Sequence, residues 1–212
     1  MKFFLCFVGL LAACGTALGQ PFEFNLQGAY YRFGKAQLGS YSAEQPRDDD
    51  TRIKLRNGAG ARFTINTKGY YGHEFTYLVN KGDLTATTRA VVNRVTVATT
   101  QSSKITMRQG AYNFLMYMMP RGERWRPYIT GGLQMTDYGR PSLAGIETFK
   151  TRNYGANFGL GLKLRIAPRV HLRIDGREYM GGKPYDLKFS DATRSGGTVR
   201  MQEASFGLGF SF

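Results

Sequence analysis

The chain has 212 residues, 21% of them charged, a mean hydropathy of −0.34 and a formal net charge of +14. That length carries one sizeable core, and beyond the first twenty residues no run is long and apolar enough for a membrane-spanning helix. Only two cysteines occur, Cys6 and Cys14, which excludes a disulfide-stapled scaffold, whereas 27 Gly, 13 Tyr and 15 Phe against one Trp suit a β-rich chain.

Residues 1–19 read as an export signal. Lys2 gives the positive charge, Phe3 to Leu11 a short apolar run, and Ala17-Leu18-Gly19 a small-residue cleavage site before Gln20. An alternative cut precedes Cys14, since Leu11-Ala12-Ala13-Cys14 is similar to the box that directs lipid modification of bacterial lipoproteins. The remaining 20–212 form one domain. With cleavage after Gly19 it has no cysteine, so strand pairing and surroundings must hold it together.

Eight segments alternate with period two. Phe22, Phe24 and Leu26 oppose Glu23, Asn25 and Gln27; Ala61, Phe63 and Ile65 oppose Arg62, Thr64 and Asn66. Tyr71, Phe75 and Tyr77 then oppose Gly72, Glu74 and Thr76. A fourth set is Tyr112, Phe114, Met116 and Met118, with Leu115 and Tyr117 blurring the polar face. The fifth places Ile129, Leu133 and Met135 against Tyr128, Thr130 and Gln134. Between Tyr154 and Ile166 the even positions are apolar, while the odd ones are Gly, Asn157, Lys163 and Arg165. Across Ala167-Pro168-Arg169, Val170, Leu172 and Ile174 oppose His171, Arg173, Asp175 and Arg177. The last run is Ala204, Phe206, Leu208, Phe210 and Phe212, alternating with Ser205, Gly207, Gly209 and Ser211.

So many charges on strand faces cannot sit in an ordinary apolar core, but they can line a polar barrel interior. The connections point the same way. Long gaps (34–57, 80–106, 137–152, 181–197) alternate with short ones (67–69, 120–124, 167–169), as an up-and-down barrel with both termini in the periplasm requires. The fold class is therefore all-β: an eight-stranded antiparallel up-and-down transmembrane β-barrel. Its apolar faces meet lipid and its polar faces meet a lumen that side chains can fill.

The terminal strand with its final Phe and the pair from Tyr154 to Arg177 resemble the small outer-membrane barrel superfamily, of the OmpA transmembrane-domain and OmpX type. The likeness spans the mature chain and is architectural. It implies a Gram-negative outer-membrane location. It also implies that the strand Ala204 to Phe212 is read by the outer-membrane assembly machinery.

The expected interior charges are Glu23, Arg62, Glu74, Lys163, Arg165, Arg173, Asp175 and Arg177. A three-residue loop at 67–69 would set Arg62 opposite Glu74, and the 167–169 turn would set Lys163 opposite Arg173, with Asp175 diagonal to Lys163. Cations outnumber acids in this set, so water or Glu203 must help. A structural plug is expected, with a narrow pore as the alternative. Tyr30, Tyr31, Tyr70, Trp125, Tyr128 and Tyr154 are candidates for the interfacial girdles.

Lys81, Arg89, Arg94, Lys104 and Arg108 against Asp83 make the second outer loop basic. Outer-membrane lipid and the phosphates of lipopolysaccharide are the expected partners, since export argues against nucleic acid. Arg89 to Thr100 is β-prone and could extend two strands above the membrane, offering an edge to an extracellular protein. Asp48-Asp49-Asp50 reads as a solvated loop balanced by Arg47 and Arg52, with a calcium site as the alternative. His73 and His171 lack a nearby Ser in sequence, so no catalytic residues, metal or cofactor are expected and the role is structural, adhesive or surface-interacting. The rival is a soluble lipocalin-like carrier with apolar faces inward, although the N-terminal Gly-x-Trp strand and final helix of that class are missing.

Overall fold

The computed structural model describes residues 22–34, 38–40, 47, 50–143, 151–183, 185 and 198–212. Its strands are β1 (Phe22–Phe33), β2 (Thr51–Thr67), β3 (Tyr71–Val92), β4 (Val95–Tyr117), β5 (Trp125–Asp137), β6 (Arg152–Ala167), β7 (Val170–Gly181) and β8 (Val199–Ser211). Each pairs antiparallel with its neighbour in sequence, and β1 pairs with β8, so the sheet closes into a barrel. Closure removes the open edges that a flat sheet would present. At the seam, Phe22 and Phe212 exchange backbone hydrogen bonds of 3.2 and 3.0 Å.

All eight expected strands are present. Two local expectations need correction. The first turn is Lys68-Gly69-Tyr70, one residue later than read, because Thr67 pairs with Tyr71 and Lys68 and Gly69 take positive φ. Arg62 therefore lies opposite Thr76, and Thr64 lies opposite Glu74. At the 167–169 turn Ala167 stays in β6 and pairs with Val170, so only Pro168-Arg169 turn; a bulge between Arg165 and Ala167 keeps Lys163 opposite Arg173 as expected.

The second correction concerns 80–106, which is not a loop, although the β-prone stretch Arg89 to Thr100 does extend two strands as read. β3 and β4 run on as a hairpin of 22 and 23 residues. It closes at Asn93-Arg94, both left-handed with φ of 52° and 64°, a two-residue turn whose twist matches that of the strands. β2 also begins earlier, at Thr51, and accommodates one extra residue in a bulge between Leu55 and Gly58.

The reason these extensions escaped a search for apolar-out strands is a reversal of polarity. Below the reversal β3 turns Tyr71, Phe75, Tyr77 and Val79 outward and Glu74 and Thr76 inward. Above it the outward residues are Lys81, Asp83 and Thr85, while Leu84 and Ala86 are buried, as Leu78 is just below. β4 repeats this, with Arg108, Thr106 and Lys104 outside and Met107 and Ile105 inside. The upper interior is an apolar core that also holds Tyr31, Ile53, Leu55, Tyr179 and Met201. Nine residues, from Tyr71 to Val79, span about 23 Å of membrane at a typical rise and tilt. The rest of the barrel stands above the lipid as a water-exposed β-barrel packed on its own core. The inward-apolar arrangement of the rival carrier thus exists here, but only in the upper tier.

Outward aromatics pair across strands within the lipid band, as with Phe75 and Tyr112 at 5.3 Å and Tyr71 and Phe114 at 5.7 Å between ring centres. Of the girdle candidates, Tyr30, Tyr70, Trp125 and Tyr154 do face outward. Tyr31 and Tyr128 do not: both point into the lumen, where their hydroxyls find carboxylates.

Candidate functional site

Three features lie along the barrel axis: a charged plug in the lower lumen, a cationic belt outside the upper tier, and an open mouth at the short-turn end. The plug forms because inward positions on β2, β3, β7 and β8 carry opposite charges at one height. Arg62 reaches Asp175 at 2.6 Å and Glu203 at 2.7 Å. It also stands 3.9 Å from Glu74, so the ion pair survives the corrected register as a diagonal contact. Arg173 bridges Glu74 and Asp175, the latter at 3.0 Å. Arg177 bridges the same two acids at 2.7 and 3.2 Å. Tyr179 and Tyr31 donate hydroxyl hydrogen bonds to Glu203 at 2.6 and 3.0 Å, and Tyr128 donates to Asp175.

Nearer the mouth, Glu23 accepts hydrogen bonds from Lys163 and, at 2.7 Å, from Asn66. Lys163 takes Glu23 and the Tyr117 hydroxyl as partners rather than its diagonal neighbour Asp175. Arg126, also inward, lies over the Tyr117 ring at 3.8 Å and donates to the Gly69 carbonyl.

Seven of the eight expected interior charges are buried: Glu23, Arg62, Glu74, Lys163, Arg173, Asp175 and Arg177. Arg165 is the exception. It follows Lys163 on the inward register, but β6 has already reached the turn end there, so its side chain is exposed at the mouth. Removing Arg165 and adding Glu203 leaves Arg62, Lys163, Arg173 and Arg177 against Glu23, Glu74, Asp175 and Glu203, four of each, with the buried Arg126 as one further cation held over the Tyr117 ring. Pairing is what makes such burial tolerable. Sequence reading missed Tyr117, Tyr128 and Tyr179 as members of the plug. Phenols on the inward register of neighbouring strands were the available signal. On the terminal strand, Ala204, Phe206, Leu208 and Phe210 face outward and exposed, and Phe212 is half-exposed at the seam.

The belt lies one step above the lipid-facing band. Cross-strand register aligns Lys54, Asp83 and Lys104 in one row, and Arg108, Asp137 and Arg152 in another. Lys81 and Arg32 point outward at similar height, and Arg56 holds Asp83 at 2.8 Å. Each acid in these rows has a cation on either side, so the belt keeps a positive excess.

Asp50 is not a solvated loop residue. It accepts hydrogen bonds from Arg89, from the Ser40 hydroxyl at 2.6 Å and from the Arg47 amide at 2.9 Å. Burial pushes its carboxyl up, but the hydrogen bonds from Arg89, Ser40 and Arg47 outweigh that and hold it below the usual carboxylate range. Asp48 and Asp49 lie outside the described residues, as do residues 1–21 with the signal and Cys14. Among the described residues no cluster of His, Cys, Asp and Glu is suited to a metal ion.

His171 meets a serine after all, though only in space. Its Nδ1 is 3.4 Å from the Ser211 hydroxyl, and its Nε2 is 3.6 Å from Glu23. Both separations are long, and Glu23 is already engaged by Lys163 and Asn66, so the imidazole is not oriented to activate a nucleophile. His73 faces outward and contacts the Tyr112 hydroxyl at 2.7 Å.

The chain is structurally similar to several solved barrels. Neisserial surface protein A aligns with a TM-score of 0.58 and 14% identity over 91% of this chain and 97% of the other. OprG of Pseudomonas aeruginosa gives 0.55 and 11% over 91% and 97%. Ail of Yersinia pestis, in complex with the heparin analogue sucrose octasulfate, gives 0.50 and 10% over 90% and 97%. These likenesses establish the fold. No curated protein matches the chain by sequence. A family profile described as outer membrane protein beta-barrel domain matches residues 7–212, and the chain belongs to that family of Gram-negative outer-membrane barrels.

Proposed function

We propose that this barrel acts at the cell surface, without catalysis, held among lipopolysaccharide by its basic belt and presenting the β3–β4 hairpin to an extracellular partner. The belt carries the reading. Lys54, Lys104 and Arg108 sit directly above the apolar band, where the phosphates of lipopolysaccharide begin, and lysine and arginine donors suit phosphate. Beyond Ala86 and Gln101 no other strand among the described residues joins the hairpin, which projects about 30 Å above the lipid band at a typical rise and tilt. Val92, Val95 and Val97 are exposed near its tip, next to Arg94. The sucrose octasulfate held by Ail favours anionic sugars as a ligand class for such a surface. The crossing of the lower lumen by Arg62, Arg173 and Arg177 favours a plug over a pore.

The same reading assigns Ala204, Phe206, Leu208, Phe210 and Phe212 to lipid contact and recognition by the assembly machinery, and residues 1–19 to a signal removed on export. The test is a Lys54→Glu, Lys104→Glu, Arg108→Glu variant, folded in detergent and offered to vesicles containing lipopolysaccharide. Binding should fall by at least about tenfold while heat-modifiable gel migration is kept. A variant in which residues 88–99 are replaced by a two-residue Asn-Gly turn should fold but lose cell adhesion. Undiminished vesicle binding by the first variant and unchanged adhesion by the second would together remove the reading.

A further inference from the structure

The mouth at the short-turn end encloses a cavity of about 740 Å³. That volume falls within the range of roughly 300–1,000 Å³ usual for small-molecule sites. Its wall is cationic: Arg121, Arg124, Arg126, Lys163, Arg165 and Arg169 line it. Glu23 and Glu123 are the acids present, and Glu23 is already taken by Lys163. Glu23, Lys163 and Arg126 at its floor belong to the lower lumen already described, but Arg124, Arg165 and Arg169 at its rim take no part in the plug or the belt.

The cations come from separate parts of the chain. Arg121 and Arg124 lie on the β4–β5 turn, Arg165 lies two residues before the end of β6, and Arg169 lies on the β6–β7 turn. Their backbone is fixed: the Arg165 amide donates to the Arg124 carbonyl at 2.8 Å, and the Ser211 amide donates to that of Arg169 at 2.9 Å. Among the described residues, the guanidinium groups of Arg124, Arg165 and Arg169 have no carboxylate partner within 4 Å. Deeper in, His171 is buried and lines the same cavity; its Nε2 makes no hydrogen bond and stands 3.6 Å from Glu23. Three exposed arginines from separate turns and strand ends thus line one concave space with no carboxylate of their own, a lining suited to an anion with several oxygens.

We infer that the periplasmic mouth binds a multivalent small anion, carrying phosphate or carboxylate groups, with Arg124, Arg165 and Arg169 as its principal contacts and His171 at its base. The site is independent of the surface role above, since it lies at the opposite end of the barrel. Occupancy from the periplasm would tether a soluble anion, or an anionic group on a larger molecule, beneath the membrane.

Titration calorimetry on the full protein in a zwitterionic detergent tests this, with tripolyphosphate and citrate as separate probes. Saturable binding of either is expected, and the tighter of the two identifies the phosphate or carboxylate source. An Arg124→Gln, Arg165→Gln, Arg169→Gln variant should lose that binding or weaken it by at least about tenfold. A Lys54→Gln, Lys104→Gln, Arg108→Gln variant should keep it, which separates the mouth from the belt. If the triple substitution impairs folding, Arg165→Gln alone should still weaken binding, because that side chain is exposed and supports no core. Wild-type affinity in the mouth variants, or equal loss in the belt variant, would overturn the assignment.

Discussion

Tyr128 and Gly161 face each other directly across β5 and β6, and the phenol of Tyr128 occupies the space that a side chain at 161 would need. A Cβ at 161 would fall 2.2 Å from the Tyr128 hydroxyl and 2.3 Å from its ring carbon. The ring is held there by Arg173, which donates to its oxygen at 2.6 Å, and by Asp175, which accepts from it. Gly161 is thus part of the plug although it contributes no charge.

Gly161→Ala should therefore destabilise the barrel by about 1–3 kcal/mol, since Tyr128 must leave its partners or the strands must part. Gly176→Ala, outward on β7 with nothing within 4 Å of the added carbon, should change stability little. Urea midpoints in micelles decide the matter. Equal midpoints for the two variants would show that Tyr128 is not fixed against β6.

Arg62→Met leaves Asp175 and Glu203 without their shared cation in a buried setting. Loss of one partner of a buried ion pair typically costs about 3–5 kcal/mol. The same variant combined with Glu203→Gln should recover part of that loss, because one stranded charge is removed. A double variant no better than the single one would argue that Glu203 draws its stability from Tyr31 and Tyr179 instead.

The strands were legible in the sequence because lipid imposes one rule on every outward position. Phe206, Leu208 and Phe210 could hardly alternate with Ser205, Gly207 and Gly209 for any other reason. The upper extensions were legible only at the tip, where Arg89 to Thr100 reads as β-prone, and the stem below it was hidden for the complementary reason. Leu84 and Ala86 face inward and Lys81 and Asp83 face water, so the same alternation carries the opposite sign, which reads as loop when only one sign is sought. Plug membership was legible wherever charge marked it, but the partners were not. Whether Lys163 meets Glu23 or Asp175 depends on barrel curvature, which alternation along one strand does not encode.

Asp50 offers a pH test. Its carboxyl is held below the usual range, so its contacts with Arg89, Ser40 and Arg47 stabilise the fold above the normal carboxylate range and are lost as pH falls through the lowered value. Hydrogen exchange of the Thr87 amide, which donates to the Asp50 carbonyl at 2.9 Å, should accelerate in acid and in Asp50→Asn at neutral pH. Exchange that ignores both changes would detach the loop from the base of the hairpin.

Export should leave a chain beginning at Gln20. Intact mass of protein extracted from outer membranes would read this directly, and Cys14→Ala should leave that mass unchanged. A lipid-sized increment that Cys14→Ala abolishes would move the cut to Cys14.

The switch from Val79 to Lys81, repeated from Tyr154 to Arg152, also fixes draught, in the nautical sense. Sliding the barrel inward by one residue pair would drag cations toward hydrocarbon, at a cost that reaches about 2–4 kcal/mol for a single lysine or arginine near mid-bilayer. Sliding it outward would strip lipid from a ring of aromatics. The wall therefore floats at one level, and whatever the Asn93-Arg94 tip touches must come to that fixed height.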